Sequence, residues 1–156
     1  MRHNYQDYIA TVENFPKNGI VFYDIAPLIG NAAVFADLIA DMAEGIDPSV
    51  TKIAAFDVRG FVFGSAIAHH LKKSLIMLRK PGKLPGEVSH VSYELEYGQS
   101  ELEIQSGVLG ENDIVQLVDD VVATGGTALA GIALVRESGA QLAGFSTVID
   151  LPALAG

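Results

Sequence analysis

The sequence predicts an α/β fold, a parallel-sheet core with helices on both faces, and three observations carry that prediction. Apolar runs of strand length alternate with amphipathic stretches of helical length, the pattern of strand–helix–strand units. The runs Ile53–Phe56, Ser74–Leu78 and Ile114–Val118 are mostly hydrophobic, as strands covered on both faces are, and Leu142–Ile149 is a further strand. The chain has 156 residues, 49% of them hydrophobic and only 19% charged, enough for one packed core and too apolar for a disordered chain.

In chain order, His3 to Val12 reads as a short helix closed by a loop at Pro16 to Gly19. Ile20 to Ile25 is strand-like and ends at Pro27. Asn31 is placed to cap a helix whose apolar positions, Val34, Phe35, Leu38, Ile39 and Met42, recur at helical spacing until Gly45 stops it. The strand Ile53–Phe56 leads at once into Asp57-Val58-Arg59-Gly60, and a second amphipathic helix covers about Phe63 to Lys72. After the strand Ser74–Leu78 the pattern breaks. From Arg79 to Ser100 prolines, glycines and charges dominate, which predicts a long flexible loop over 79–100. Leu102 and Ile104 alternate with polar neighbours as in a half-exposed strand. Ile114–Val118 ends in two aspartates, Ala128 to Glu137 is a helix stopped by Gly139, and Leu142–Ile149 is the last strand. No internal repeat or linker divides the chain, so a single domain over 1–156 is expected.

Composition narrows the function. Ten basic against nineteen acidic side chains give a net charge of −9, which disfavours a general nucleic-acid partner. Cysteine is absent, which removes disulfides, thiolate metal sites and cysteine nucleophiles together. No apolar run approaches the ~18 residues of a membrane span, and the N-terminus has no signal-peptide pattern, so no membrane partner and a cytoplasmic location are expected. His3, His69, His70 and His90 have neither metal-ligand nor triad spacing, and no protein-held metal site is expected.

The chemistry is concentrated after Val118. Asp119-Asp120-Val121-Val122-Ala123-Thr124-Gly125-Gly126-Thr127 joins a buried strand to a helix, at the end of the sheet where open α/β folds bind ligands. Gly125 and Gly126 let backbone approach a ligand, Thr124 and Thr127 bring hydroxyls, and the helix start offers free N–H groups. Together they suit a terminal phosphate. A tight turn with a capping threonine would use the same residues, but adjacent acids at the end of an apolar strand are costly unless something uses them. Ribose hydroxyls, or a magnesium ion through water, are fitting partners. No Gly-Lys-Ser/Thr follows, and G-x-G-x-x-G is absent, so neither a P-loop nor a dinucleotide fingerprint is present.

The run VDDVVATGGTAL resembles the phosphoribosyl-diphosphate binding motif of the type I phosphoribosyltransferases. NFPKNGIVFYDIAPLI, VRGFVFGSAIA, RKPGKLPGE and SYELEYGQSELEIQ look more narrowly like the adenine phosphoribosyltransferases, in that family's order and over nearly the whole chain. The resemblance implies a type I phosphoribosyltransferase-like fold with a small N-terminal hood and base-binding segment over 1–30. It implies transfer of phosphoribose from 5-phosphoribosyl diphosphate to adenine, giving AMP and diphosphate. The alternatives are transfer to another purine such as xanthine or hypoxanthine, or a sensing regulator without turnover.

The resemblance also assigns residues. Asp119, Asp120 and the stretch Ala123, Thr124, Gly125, Gly126 and Thr127 would hold the ribose 5-phosphate. Asp57 to Gly60 would be the diphosphate turn, with Arg59 facing the leaving group unless it pairs locally with Asp57. Arg79, Lys80 and Lys83, three of the ten basic residues within five positions, would meet diphosphate in the same or a neighbouring subunit's site. Glu96 would move the base proton, and Tyr97 would lie beside the ribose. Val21 and Phe22 match the adenine-reading residues and Leu151 the apolar residue on the base's other face. Two departures stand out. Tyr23 replaces the arginine that usually follows the phenylalanine, and the chain stops at Gly156 where family members continue, which is expected to weaken the pocket near Leu151. Mg2+ carried mainly by the substrate diphosphate, and a homodimer, complete what the resemblance implies.

Overall fold

The first residues run as a 3₁₀ turn, Tyr5–Tyr8, and then a strand, β1 (Ala10–Glu13), not as the helix expected from His3 to Val12. β-Branched Thr11 and Val12 are indifferent helix formers, and a strand partner decides the matter. β2 (Val21–Asp24) pairs antiparallel with β1, Val12 opposite Phe22 and Thr11 opposite Tyr23. The structure, a computed structural model, describes residues 3–95, 98–123 and 125–150. It divides into two units, Met1–Glu44 and Gly45–Gly156, so the N-terminal unit ends well beyond the expected residue 30.

In the first unit, Pro27 does not end regular structure after β2; it lies in the first turn of a short helix, α1 (Ala26–Gly30). That is where a missing N–H costs nothing. Asn31 caps α2 (Ala32–Glu44) as expected, its Oδ1 accepting from Val34 N–H at 3.3 Å. Val34, Leu38, Ile39 and Ala43 form the buried stripe of α2. One turn apart on that helix, Asp37 and Asp41 tie down the N-terminal segment, through His3 Nδ1 at 2.7 Å and the Tyr5 hydroxyl at 2.5 Å.

The second unit is built on β3 (Lys52–Phe56), α3 (Gly60–Leu71), β4 (Ser74–Leu78), β5 (Val88–Leu95), β6 (Gly98–Gln105), β7 (Ile114–Val122), α4 (Gly126–Glu137) and β8 (Gln141–Asp150). β3, β4, β7 and β8 form a parallel sheet in the order β4-β3-β7-β8. Successive residues of β3 show where the helices lie, since they face opposite sides of the sheet. A Cβ on Gly64 of α3 would collide with Ala55, and one on Gly131 of α4 would collide with the Phe56 ring. α3 and α4 therefore cover opposite faces, as predicted.

On the α4 face, Ala54, Phe56, Val115 and Leu117 from the sheet meet Leu134 and Val135 from α4. Each large side chain withdrawn there contributes about 1.5–3 kcal/mol. Leu102 and Ile104 of β6 join the same core, which exposes the error in the mid-chain reading. Part of 79–100 is not irregular: β5 and β6 form an antiparallel hairpin from Val88↔Gln105 to Leu95↔Gly98. At the end of the sheet where β3 and β7 begin, Lys52 Nζ donates to Val108 O at 2.6 Å and lies 3.0 Å from Asp113 Oδ2. That cluster fixes the starting register of the two strands and leaves their carboxyl ends to a site.

Candidate functional site

The carboxyl ends of β3 and β7 open into a cavity of about 390 Å³, within the range of small-molecule sites. Several stretches of chain wall it, all in the second unit, four of them at the ends of β3, β4 and β7 and the start of α4. The first is the Asp57–Arg59 turn, whose Asp57–Val58 peptide bond is cis. The second is Asp119 to Ala123 at the end of β7, and the third is Gly125 to Ala128 at the start of α4. Lys80, after β4, is the fourth. The hairpin adds Tyr93, Ser100 and Leu102.

Gly60 makes the meeting of β7 and α3 feasible. A Cβ there would sit 2.8 Å from Asp119 Oδ1 and 3.1 Å from Val118 O, so only glycine lets α3 begin this close to the acids. Asp120 is 4% exposed, and its Oδ2 lies 2.8 Å from Arg59 Nε. The contact is close enough for an ion pair, but no guanidinium N–H is aimed at that oxygen as a directed hydrogen bond requires. The attraction is therefore charge on charge, and it holds Arg59 beside the cavity.

Asp119 accepts a hydrogen bond from Asp120 N–H at 2.8 Å. Burial pushes its carboxyl up from 3.8 to about 7; the neighbouring charge of Asp120 adds to this, while the Asp120 N–H and Arg59 pull the other way. A carboxyl held near neutrality beside a polar cavity is poised for partners that donate hydrogen bonds or carry positive charge. Gly125 precedes α4 with φ 80°, a left-handed turn that glycine adopts without strain, and the first turn of α4 from Gly126 to Ala128 lines the cavity.

The structure brings together Arg59, Lys80, Asp119, Asp120, Ala123, Gly125, Gly126 and Thr127. Lys80 walls its own chain's cavity; Arg79 and Lys83 are not on the walls. Arg59 does not pair with Asp57. That carboxylate takes Arg79 instead, with Nε donating to Oδ2 at 3.0 Å. Val21, Phe22 and Tyr23 lie on β2 of the other unit, where Val21 is 48% exposed and the Phe22 ring meets Phe15 edge-on at 5.2 Å. Thr124, Glu96, Tyr97 and Leu151 lie outside the described residues.

Sequence reasoning missed Tyr93, Ser100 and Phe145 on the walls. A signal for Ser100 existed: the Leu102, Ile104 alternation extended two residues back places it on the inward face, opposite Tyr93. Phe145 sits in an apolar strand with nothing local to mark it.

A phosphoribosyl transferase domain model matches residues 28–155. The adenine phosphoribosyltransferase of Idiomarina loihiensis is 44% identical over 152 residues, 97% of this chain and 86% of that one. The enzyme of the same name from Mycoplasmopsis synoviae is 48% identical over 149 residues, 96% of this chain and 88% of that one. Among solved structures, adenine phosphoribosyltransferase from Rhodothermus marinus superposes with a TM-score of 0.93 at 38% identity, covering 97% of this chain and 87% of that one. The Saccharomyces cerevisiae enzyme, complexed with an imino-altritol bisphosphate and adenine, gives 0.89 at 34% identity, with 97% and 89% covered. With its cavity at the carboxyl ends of parallel strands and these relatives matched over 96–97% of its length, the chain belongs to the phosphoribosyl transferase family and, within it, to the adenine phosphoribosyltransferases.

Proposed function

We propose the following division of labour for the transfer of phosphoribose from 5-phosphoribosyl diphosphate to adenine, the reaction of purine salvage that this chain carries out. One observation carries it: a single cavity sets paired acids beside a glycine-rich helix start and two cations, Arg59 and Lys80. The reaction breaks the bond from ribose C1 to diphosphate and makes one from C1 to a ring nitrogen of the base. The departing diphosphate gains negative charge while the sugar becomes cationic, so opposite ends of the site must be oppositely charged.

The N–H groups opening α4, with the Thr127 and Thr124 hydroxyls, hold the 5-phosphate. Asp119 and Asp120 accept from the ribose hydroxyls and face the cationic sugar. Arg59, kept in place by Asp120 at 2.8 Å, and Lys80 meet the leaving diphosphate, where each preorganised donor is worth about 3–4 kcal/mol of barrier. Glu96 takes the proton the base loses, with Tyr97 beside the ribose. The Val21–Tyr23 stretch of β2 selects adenine. A bound Mg2+ fits this donor set through the substrate: two adjacent carboxylates are too few to cage the ion, and Mg2+ commonly keeps water and phosphate oxygens. Asp119 and Asp120 would hold its waters, and the ion would neutralise diphosphate charge.

The chain is proposed to work as a cytoplasmic homodimer. Leu75 and Met77 share one face of edge strand β4, 36% and 42% exposed, and α3 adds Val62 at 36%. Apolar surface gathered on an edge strand favours association. In a crystal with AMP, the phosphate is expected against Thr127 and the first turn of α4, with the Glu96 carboxyl within hydrogen-bond reach of the base. A phosphate bound elsewhere would remove the assignment.

A further inference from the structure

The outward face of β6 has no part in the assignments above, yet it grips the basic segment. Leu102 and Ile104 point into the core, and Glu103 between them and Gln105 after them are half-buried on the other side. The Glu103 N–H donates to Arg79 O at 2.7 Å and its carbonyl accepts from Arg79 N–H at 2.9 Å. Its carboxylate reaches further along the segment, where Oε2 accepts from Gly82 N–H at 3.1 Å in a left-handed turn with φ 75°. Gln105 Nε2 donates to Pro85 O at 3.2 Å. On its other side the segment is tied to the Asp57–Arg59 turn by Arg79, which also donates from Nη1 to Lys83 O at 3.2 Å. Lys80 stands between these ties, on the cavity wall.

A carboxylate here works against the field the site needs. Diphosphate carries several negative charges, and Glu103 lies among the cations meant to attract it, so its charge weakens the attraction. Its contribution is therefore geometric. We propose that Glu103 is a positioning residue for leaving-group binding: by clamping the turn at Gly82 it holds Lys80 where the diphosphate departs. This rests on Lys80 meeting diphosphate, and the opposing signs of field and geometry make the two roles separable.

The test measures binding of inorganic diphosphate and of AMP, together with KM for both substrates, in Glu103→Ala, Glu103→Gln and Lys80→Ala. Glu103→Ala is expected to weaken diphosphate roughly tenfold, the scale of one charge-assisted hydrogen bond, and to raise KM for phosphoribosyl diphosphate in step. AMP and adenine, which lack the diphosphate, should move less than about twofold. Glu103→Gln keeps an acceptor for Gly82 N–H and should restore diphosphate binding to within about threefold of wild type. Unchanged or tighter diphosphate binding in Glu103→Ala overturns the proposal, because it shows the field mattering and the clamp not. An equal loss of AMP affinity overturns it too, since that is general damage to the fold. Should Lys80→Ala lose diphosphate while Glu103→Ala does not, the clamp is refuted and the site assignment stands. If neither variant loses it, Lys80 has no diphosphate role and both ideas fall.

Discussion

Asp119 shows what function costs at a single position. Its pKa rises from 3.8 in the unfolded chain to about 7 in the fold, so between those values the folded form holds a proton that the unfolded form has lost. The stability linked to that proton is complete below 3.8 and is lost as pH climbs through 7. Asp119→Asn, which has no charge to bury, should therefore stabilise the protein at pH 8 by on the order of a few kcal/mol and change little below about pH 4. Denaturant unfolding at the two pH values checks this, and a gain of the same size at both would refute the linkage. The same variant should lose turnover, since the proposed assignment sets an ionised carboxylate against the cationic sugar. The acid pair was legible in the sequence because two adjacent aspartates at the end of a mostly apolar run, Ile114–Val118, are conspicuous. The partner of Arg59 was not. Asp57 is two residues away and Asp120 sixty-one, and sequence distance carries no information about which carboxylate the fold delivers at 2.8 Å.

Among the elements, α3 and α4 begin beside the cavity, and each depends on glycine at its start. Gly60→Ala would drive a methyl group into Asp119 Oδ1 and the Val118 carbonyl, 2.8 and 3.1 Å away. The Val118 carbonyl is backbone and cannot yield as a flexible side chain would, and Asp119 Oδ1 is held by the Asp120 N–H, so the substitution should cost about 1–3 kcal/mol. It should also cut turnover disproportionately, because the strain falls on the acid pair. Thermal unfolding and kcat measured together check this, and a variant of wild-type stability and rate would show that α3 has room to move. The buried strands and long helices were readable because burial on both faces and a 3.6-residue stripe leave strong patterns. The elements that were missed are the ones without such a face. β1 is exposed along its whole length, and β5 mixes Ser89, His90 and Ser92 with its apolar residues. Only pairing with β2 and β6 makes them strands, and pairing is a long-range event.

At the scale of the whole molecule, self-association and base choice remain to be measured. The exposed Leu75, Met77 and Val62 predict a homodimer at assay concentrations, and Leu75→Glu should raise its dissociation constant by tenfold or more. Sedimentation of a fully active monomer would end that idea. The central claim is the identity of the acceptor. Tyr23 stands where relatives by resemblance carry arginine, so under the proposed assignment the preference would rest on backbone groups around Val21 and on what the tyrosine hydroxyl can donate. Sites that pair a specific donor reject mismatched analogues by as much as ~10⁴–10⁵-fold, a margin that the loss of a forked cation would narrow. Diphosphate release with adenine, hypoxanthine and guanine, compared as kcat/KM, is the most direct measurement. Adenine should exceed both 6-oxo purines by orders of magnitude; equal or faster use of hypoxanthine would contradict the account.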